Sequence, residues 1–276
     1  MSATSIVGIV GGIDQVRGSL SPAIHNAAFE ALGMDWAYLR FGMDGDVGPV
    51  VRGLLESGVR GLNVTLPHKV GVIPALDDLA DSAKAALSVN TIASSAGRLV
   101  GHNTDGDGLL RFIERDLGRT TAGARWLVLG AGGAARGVVA AAARAKAGSI
   151  KVLARDPRRA QELSDICSGT PFTTDDLSGA HIPDETDLVI NATPLGQRGE
   201  MPPILLEGLT SKMVIIDLVY KPPVTPLMKA AREAGAMAHS GLGMLLHQAA
   251  IAFEIWTGTP APMNPMSAAA VARSND

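Results

Sequence analysis

Short apolar runs of about four to six residues alternate with longer helix-like patterns along nearly the whole chain. That alternation constrains the fold more than any other feature, because strands separated by helices build an α/β architecture. Strands are expected at 6–10, 37–41 and 61–64, with helices over 22–32 and 47–57 between them. Ser21-Pro22 is a cap residue followed by Pro at the first helical position. A strand pair at 89–93 and 98–101 turns around 94–97, and Thr104-Asp105 caps a helix running to about Leu117. A polar, Gly-containing join at 118–123 then leads into a purer βαβ series: strands 125–129 and 149–154, helices 134–146 and 157–166. Strands at 187–191 and 213–218 and helices at 226–234 and 243–257 follow. The residues from Gly258 mix Thr, Pro, Met and Ala with little patterning and read as an appendage or as poorly ordered.

Composition narrows the class. A chain of 276 residues can bury roughly 70–75% of its unfolded surface, so it needs no disulfide or metal to hold a core. The lone Cys167 reads as a small buried or loop thiol. Six scattered histidines form no ligand-spaced cluster, so no metal is expected. With 24 basic against 27 acidic residues the chain lacks the concentrated charge of a nucleic-acid binder. Its most Ala-rich stretch, 134–147, is cut by Arg136, Arg144 and Lys146, so no membrane span is expected. Met1-Ser2-Ala3-Thr4-Ser5 carries no basic region of a signal peptide, and a cytoplasmic address is expected.

Arg125-Trp126-Leu127-Val128-Leu129 runs into Gly130-Ala131-Gly132-Gly133-Ala134-Ala135-Arg136-Gly137 and then an Ala/Val helix. This is the G-x-G-x-x-G/A pattern in its required strand-turn-helix context. The absent side chains let a pyrophosphate approach the helix N-terminus, where free N–H groups and the helix dipole favour an anion. The next strand ends in Arg155-Asp156-Pro157-Arg158-Arg159, where a ribose-reading residue is expected. Arginine suits a 2′-phosphate, which favours NADP; the alternative uses Asp156 on free ribose hydroxyls and points to NAD. Asn191-Ala192-Thr193-Pro194 ends a further strand on the presumed ligand edge, as a cofactor contact or as a turn closed by Pro194 and Gly196.

The first half carries a polar set. Ser19-Leu20-Ser21-Pro22 places two hydroxyls before a helix, able to receive a small carboxylate or simply to cap it. Asn63-Val64-Thr65-Leu66-Pro67-His68-Lys69 is a strand end stocked with polar groups that would need partners if enclosed. Asn90-Thr91 and Asn103-Thr104-Asp105-Gly106 repeat the theme.

Taken in order, these segments resemble the shikimate dehydrogenases, which interconvert 3-dehydroshikimate and shikimate with NADP on the chorismate route to aromatic amino acids. The resemblance spans about residues 6–257. It adds Ile24-His25-Asn26, Asp217-Leu218-Val219-Tyr220, Thr225-Pro226-Leu227, Gly241-Leu242-Gly243-Met244-Leu245 and Gln248-Ala249-Ala250 to the motifs above. It implies that Ser19 and Ser21 hold the substrate carboxylate, that Asn63, Thr65, Asn90, Tyr220 and Gln248 surround the ring, and that Lys69 and Asp105 are the catalytic pair. It also implies cofactor contacts from Gly130, Ala131, Gly132, Gly133, Ala134, Arg155, Arg159, Thr193, Val219 and Gly241. Two positions depart from the family pattern: Gly18 stands where a His usually precedes the first serine, and Ala154 where Asn usually opens the Arg-bearing loop.

The expected architecture is α/β with two domains: a substrate domain over 1–104, a Rossmann-type NADP domain over 105–238, a helix at 239–258 returning to the first domain, and a tail at 259–276. Shikimate or 3-dehydroshikimate is the expected substrate. The alternatives are a quinate/shikimate dehydrogenase using NAD or NADP, and a non-catalytic NADP-binding regulator.

Overall fold

The computed structural model describes residues 4–95, 97–167 and 169–274. Met1 to Ala3 of the N-terminal reading, Ala96 of the turn at 94–97 and Ser168 beside the lone cysteine lie outside them. The chain divides into two compact units, Met1–Gly108 with Leu246–Asp276, and Leu109–Leu245. The divisions fall inside continuous helices, at 108/109 and 245/246.

In the first unit, β1 (Ser5–Gly11), β2 (Trp36–Gly42), β3 (Gly61–Val64), β4 (Asp78–Leu79), β5 (Thr91–Ser95) and β6 (Arg98–His102) form a six-stranded sheet in the order β2-β1-β3-β5-β6-β4. β2, β1 and β3 run parallel, and β5 turns antiparallel against β3. α1 (Ile13–Arg17), α2 (Ser21–Ala31), α3 (Val47–Glu56) and α4 (Asp81–Ala86) complete the first stretch of chain. Val47, Val51 and Leu55 recur at helical spacing on α3 and bury with Val10, Leu62, Val64 and Ile92 from the strands. α5 (Asp105–Arg111) opens in this unit.

The second unit holds β7 (Arg125–Leu129), β8 (Ser149–Ala154), β9 (Phe172–Asp176), β11 (Leu188–Asn191), β13 (Val214–Asp217) and β14 (Met237–Ser240) in one sheet ordered β14-β13-β11-β7-β8-β9. All its pairings are parallel. The short β10 (Ala180–His181) and β12 (Ile204–Leu205) pair separately. α6 (Gly133–Arg144), α7 (Pro157–Gln161) and α8 (Pro226–Glu233) connect the strands. The central strands β11 and β13 are buried throughout, which is why they read as continuous apolar runs.

Several expectations are corrected. The helix expected over 157–166 is α7 followed by a 3₁₀ turn at Glu162–Ile166, and the helix from Asp105 becomes a π-helix over Phe112–Asp116. Residues 239–241 were expected to begin the returning helix. Instead β14 extends through Ser240, paired to β13, and α9 (Leu242–Thr257) starts after it. The tail is no loose appendage: α10 (Met263–Ser274) packs against α2 and buries Met266 and Ala270. Its Ala-rich sequence forms helix readily but shows little contrast between faces. Cys167 is buried, its thiol donates to the Leu163 carbonyl at 3.3 Å, and burial pushes it up to about 11.

Candidate active site

The polar residues of the first unit converge at the end of β3. Asn63 stands opposite Thr91 of β5 in register, so the two strand ends present side chains to one place. The loop after β3 is tied to the chain leading into β5, where the Val89 amide donates to the Lys69 carbonyl at 2.8 Å. Asn103 secures the start of α5: its Oδ1 accepts from the Asp105 amide at 3.2 Å and its Nδ2 donates to the Ser88 carbonyl at 3.0 Å.

With both backbones held, Lys69 Nζ lies 2.6 Å from Asp105 Oδ2, and the two side chains are only 13% and 8% exposed. Asp105 Oδ1 accepts from Asn90 Nδ2 at 2.7 Å. Asn90 Oδ1 in turn accepts from the Thr104 amide at 2.8 Å and the Thr91 hydroxyl at 3.0 Å. Asn63 Nδ2 donates to the Asn90 carbonyl and to Thr91 Oγ1 at 3.2 and 3.0 Å. Gln248, on α9, accepts through Oε1 from Asn90 and Thr104 at 3.4 and 3.3 Å. α9 can come this close because Gly108 has no side chain: a Cβ there would stand 2.6 Å from the Gln248 amide nitrogen. A buried ion pair is sustained only when its remaining lone pairs are also satisfied, and here the amides and hydroxyls do that. Asp105 occupies one of the three ammonium donors of Lys69, so the same nitrogen can serve a ligand oxygen.

Ser19 and Ser21 adjoin this network through a residue that sequence reading assigned to a strand and nothing more. Ser19 Oγ accepts from the Ser21 amide at 3.2 Å, and the capping expected of Ser21 is not made: Ser21 is the first helical residue, Leu20 holds the cap position, and no side chain caps the helix. The Ser21 side chain stands close enough to the Tyr38 phenol to favour its charged form, and the phenol donates to Asn63 Oδ1 at 2.7 Å. Tyr38 is buried, which raises its phenol well above the usual range, and His25 stacks on it at 4.5 Å. No signal in the sequence distinguishes Tyr38 from an ordinary strand aromatic. Thr65 is half-buried on the loop after β3.

The remaining expected residues belong to the second unit. Gly130 adopts φ +103°, and a Cβ there would press on Thr193 Cγ2 at 3.0 Å. Gly132 caps α6 without a side-chain acceptor and faces nothing within 4 Å, so the first-turn N–H groups are open to an anion. Ala131, Gly133 and Ala134 of this loop are partly exposed. Arg155 and Arg159 are exposed beyond β8, whereas Asp156 is engaged as the cap of α7, accepting from the Arg158 amide at 3.0 Å. Thr193 and Val219 are held by a buried relay. Thr193 Oγ1 donates to Asn191 Oδ1 at 2.6 Å; Asp217 Oδ1 accepts from Asn191 Nδ2 at 2.9 Å and from the Val219 amide at 3.1 Å. The Gly241 amide donates to the Val219 carbonyl at 3.3 Å. Burial raises the Tyr220 phenol. Open N–H groups at a Gly-lined helix start, with arginines beyond the next strand, suit a dinucleotide phosphate set.

Family models agree with this arrangement segment by segment. The shikimate dehydrogenase substrate binding domain matches residues 11–92, the shikimate / quinate 5-dehydrogenase model 113–237, and the shikimate 5′-dehydrogenase C-terminal domain 241–270. A shikimate dehydrogenase (NADP(+)) of Methanopyrus kandleri is 40% identical over 277 residues, covering 95% of this chain and 93% of its own. The chain belongs to the shikimate dehydrogenase family. Among solved members of its fold, shikimate 5-dehydrogenase from Thermus thermophilus in complex with NADP(H) and shikimate superposes with a TM-score of 0.86 at 32% identity, covering 98% of this chain and 99% of that one. The ligand-free 5-ketofructose reductase of a Gluconobacter strain reaches 0.89 at 32% identity over 99% of both chains. The two-domain α/β architecture is thus shared with shikimate dehydrogenases, and no helix among the described residues is long and apolar enough to cross a membrane.

Proposed function

We propose that this chain catalyses the reversible NADP-dependent interconversion of 3-dehydroshikimate and shikimate, with Lys69 and Asp105 as its catalytic pair. The observation that carries the reading is the 2.6 Å contact of Lys69 with Asp105 inside a closed network of amides and hydroxyls. When bound, NADPH supplies a hydride to the ketone carbon. The ketone oxygen gains negative charge as this happens, and the Lys69 ammonium stabilises that charge and assists proton transfer to it. Asp105 keeps Nζ in place and offers its carboxylate to a ring hydroxyl. Asn63, Thr65, Asn90 and Gln248, with Tyr220 from the second unit, surround the ring, while Ser19 and Ser21 receive its carboxylate.

In the same reading the N-terminal 104 residues and the helix through 258 bind substrate, and residues 105–238 bind NADP. Gly130, Ala131, Gly132, Gly133 and Ala134 would hold the pyrophosphate and Arg155 with Arg159 the 2′-phosphate. Thr193, Val219 and Gly241 complete the set. The engagement of Asp156 as a helix cap favours this phosphate assignment over ribose hydroxyls. A cytoplasmic setting belongs to the reading too, in keeping with a free buried thiol.

Initial rates with shikimate and with quinate, each with NADP and NAD, test it. The expected result is the highest kcat/KM for shikimate with NADP. Tight NADP binding without turnover of either acid would replace the enzyme with a regulator.

A further inference from the structure

The end of the site that holds Ser19 and Ser21 contains a cation that the serine motif does not supply. Tyr38 and Arg40 are alternate residues of β2 and therefore share a face of that edge strand. Tyr38 meets Ser21, as described above. Arg40 reaches the end of α1 and the loop before α2, donating from Nε to the Val16 carbonyl at 3.1 Å and from Nη2 to the Ser19 carbonyl at 3.1 Å. Those bonds use two of the five guanidinium donors, and no carboxylate pairs with Arg40 among the described residues. The other candidates on this loop are excluded. Arg17 turns to Asp14 at 3.5 Å with a side chain 77% exposed, and Gly18 has no side chain to offer. The 3.1 Å contact with the Ser19 carbonyl sets the guanidinium beside the serine motif.

We infer that Arg40 determines specificity for an anionic ring acid over a neutral keto sugar or polyol, by bracing the Ser19 loop through its carbonyls while leaving an unpaired charge beside the serine hydroxyls. The inference rests on the reading that Ser19 and Ser21 receive a carboxylate, and goes beyond it, because hydroxyls alone would accept a neutral group as well. The shared fold with a 5-ketofructose reductase shows that such a choice has to be made within this architecture. Arg40 is exposed, and a unit charge near the surface within a few ångströms of a carboxylate shifts binding on the order of five- to tenfold, an effect that salt screens.

The test compares the wild type with Arg40→Gln and Arg40→Lys, measuring kcat and KM for shikimate and the inhibition constant of methyl shikimate, at low salt and at roughly 0.5 M salt. Arg40→Gln is expected to raise the shikimate KM about five- to tenfold at low salt with kcat changed less than about twofold. The ester constant stays within about twofold, Arg40→Lys retains most of the acid preference, and salt narrows the gap. An unchanged shikimate KM, or an equal loss for acid and ester, overturns the inference; the second result would reduce Arg40 to a brace. Ser19→Ala separates the two levels of the argument. If it raises the shikimate KM while Arg40→Gln does not, the serine assignment stands and Arg40 fails; if neither variant moves it, the carboxylate assignment falls with it.

Discussion

Replacing Lys69 by Met keeps the length of the side chain and deletes its charge, which isolates what the ammonium does. Two separate effects follow from the geometry. In catalysis, loss of a positioned proton donor costs about 10²- to 10⁴-fold in kcat, or roughly 3–5 kcal/mol of barrier. In stability, Asp105 Oδ2 loses its 2.6 Å partner at a site where the carboxylate is 8% exposed, and the anion stays buried. A broken buried pair of this kind costs about 2–4 kcal/mol, toward the lower end here because Asn90 still donates to Asp105 Oδ1 at 2.7 Å. The double variant Lys69→Met/Asp105→Asn removes the stranded charge and should recover about 1 kcal/mol or more over Lys69→Met alone. Steady-state NADPH absorbance measures kcat, urea unfolding measures stability, and calorimetric titration measures NADP affinity. NADP affinity should change little, since the proposed dinucleotide residues belong to the other unit. A kcat within about tenfold of wild type would remove Lys69 from the chemistry, and a coupling below about 0.5 kcal/mol would refute the account of the pair.

Arg155→Ala should lower the ratio of kcat/KM for NADP over NAD by about 10- to 100-fold, the worth of a charge-assisted phosphate contact, and an unchanged ratio would send the specificity elsewhere. Gly108→Ala puts a methyl 2.6 Å from the Gln248 amide nitrogen, so it should cost about 1–3 kcal/mol in thermal unfolding and raise the shikimate KM as Gln248 shifts; a variant matching wild type in both would show that α5 and α9 have slack there. His25 is fully buried and desolvation lowers it from 6.5 to about 3, so the unfolded chain takes up a proton that the folded chain refuses. Its contribution is present above pH 6.5 and is lost as the pH falls toward 3, with a slope of up to about 1.4 kcal/mol per pH unit. His25→Phe should flatten that slope in denaturant titrations across this window, and an unaltered slope would assign the acid sensitivity to other groups.

The central strands of both units were legible because their burial leaves a local trace, a continuous apolar run such as 188–191. β9 and β14 left none: as edge strands they carry the polar and mixed residues of Phe172–Asp176 and Met237–Ser240. The site shows the same divide. Lys69, Asp105, Asn90 and Gln248 stand out through motif chemistry, and the glycine loop through its spacing. Tyr38 and Arg40 were invisible because an aromatic and a basic residue in a strand have ordinary structural reasons to be there. What makes them notable is whom they touch: Asn63 for one, the carbonyls of Val16 and Ser19 for the other.

Sequence by itself determined the α/β class, the Gly130–Gly133 turn and the stock of polar groups, since each depends on local periodicity or on backbone freedom within a few residues. Tertiary structure alone decided which of those groups meet. Lys69 reaches Asp105 across 36 positions and Asn90 reaches Gln248 across 158, and both contacts exist because the sheet and α9 bring distant segments into hydrogen-bonding range. Hydrogen bonds and buried charges act over a few ångströms, so their energies are set by distance in space, on which spacing along the chain is silent.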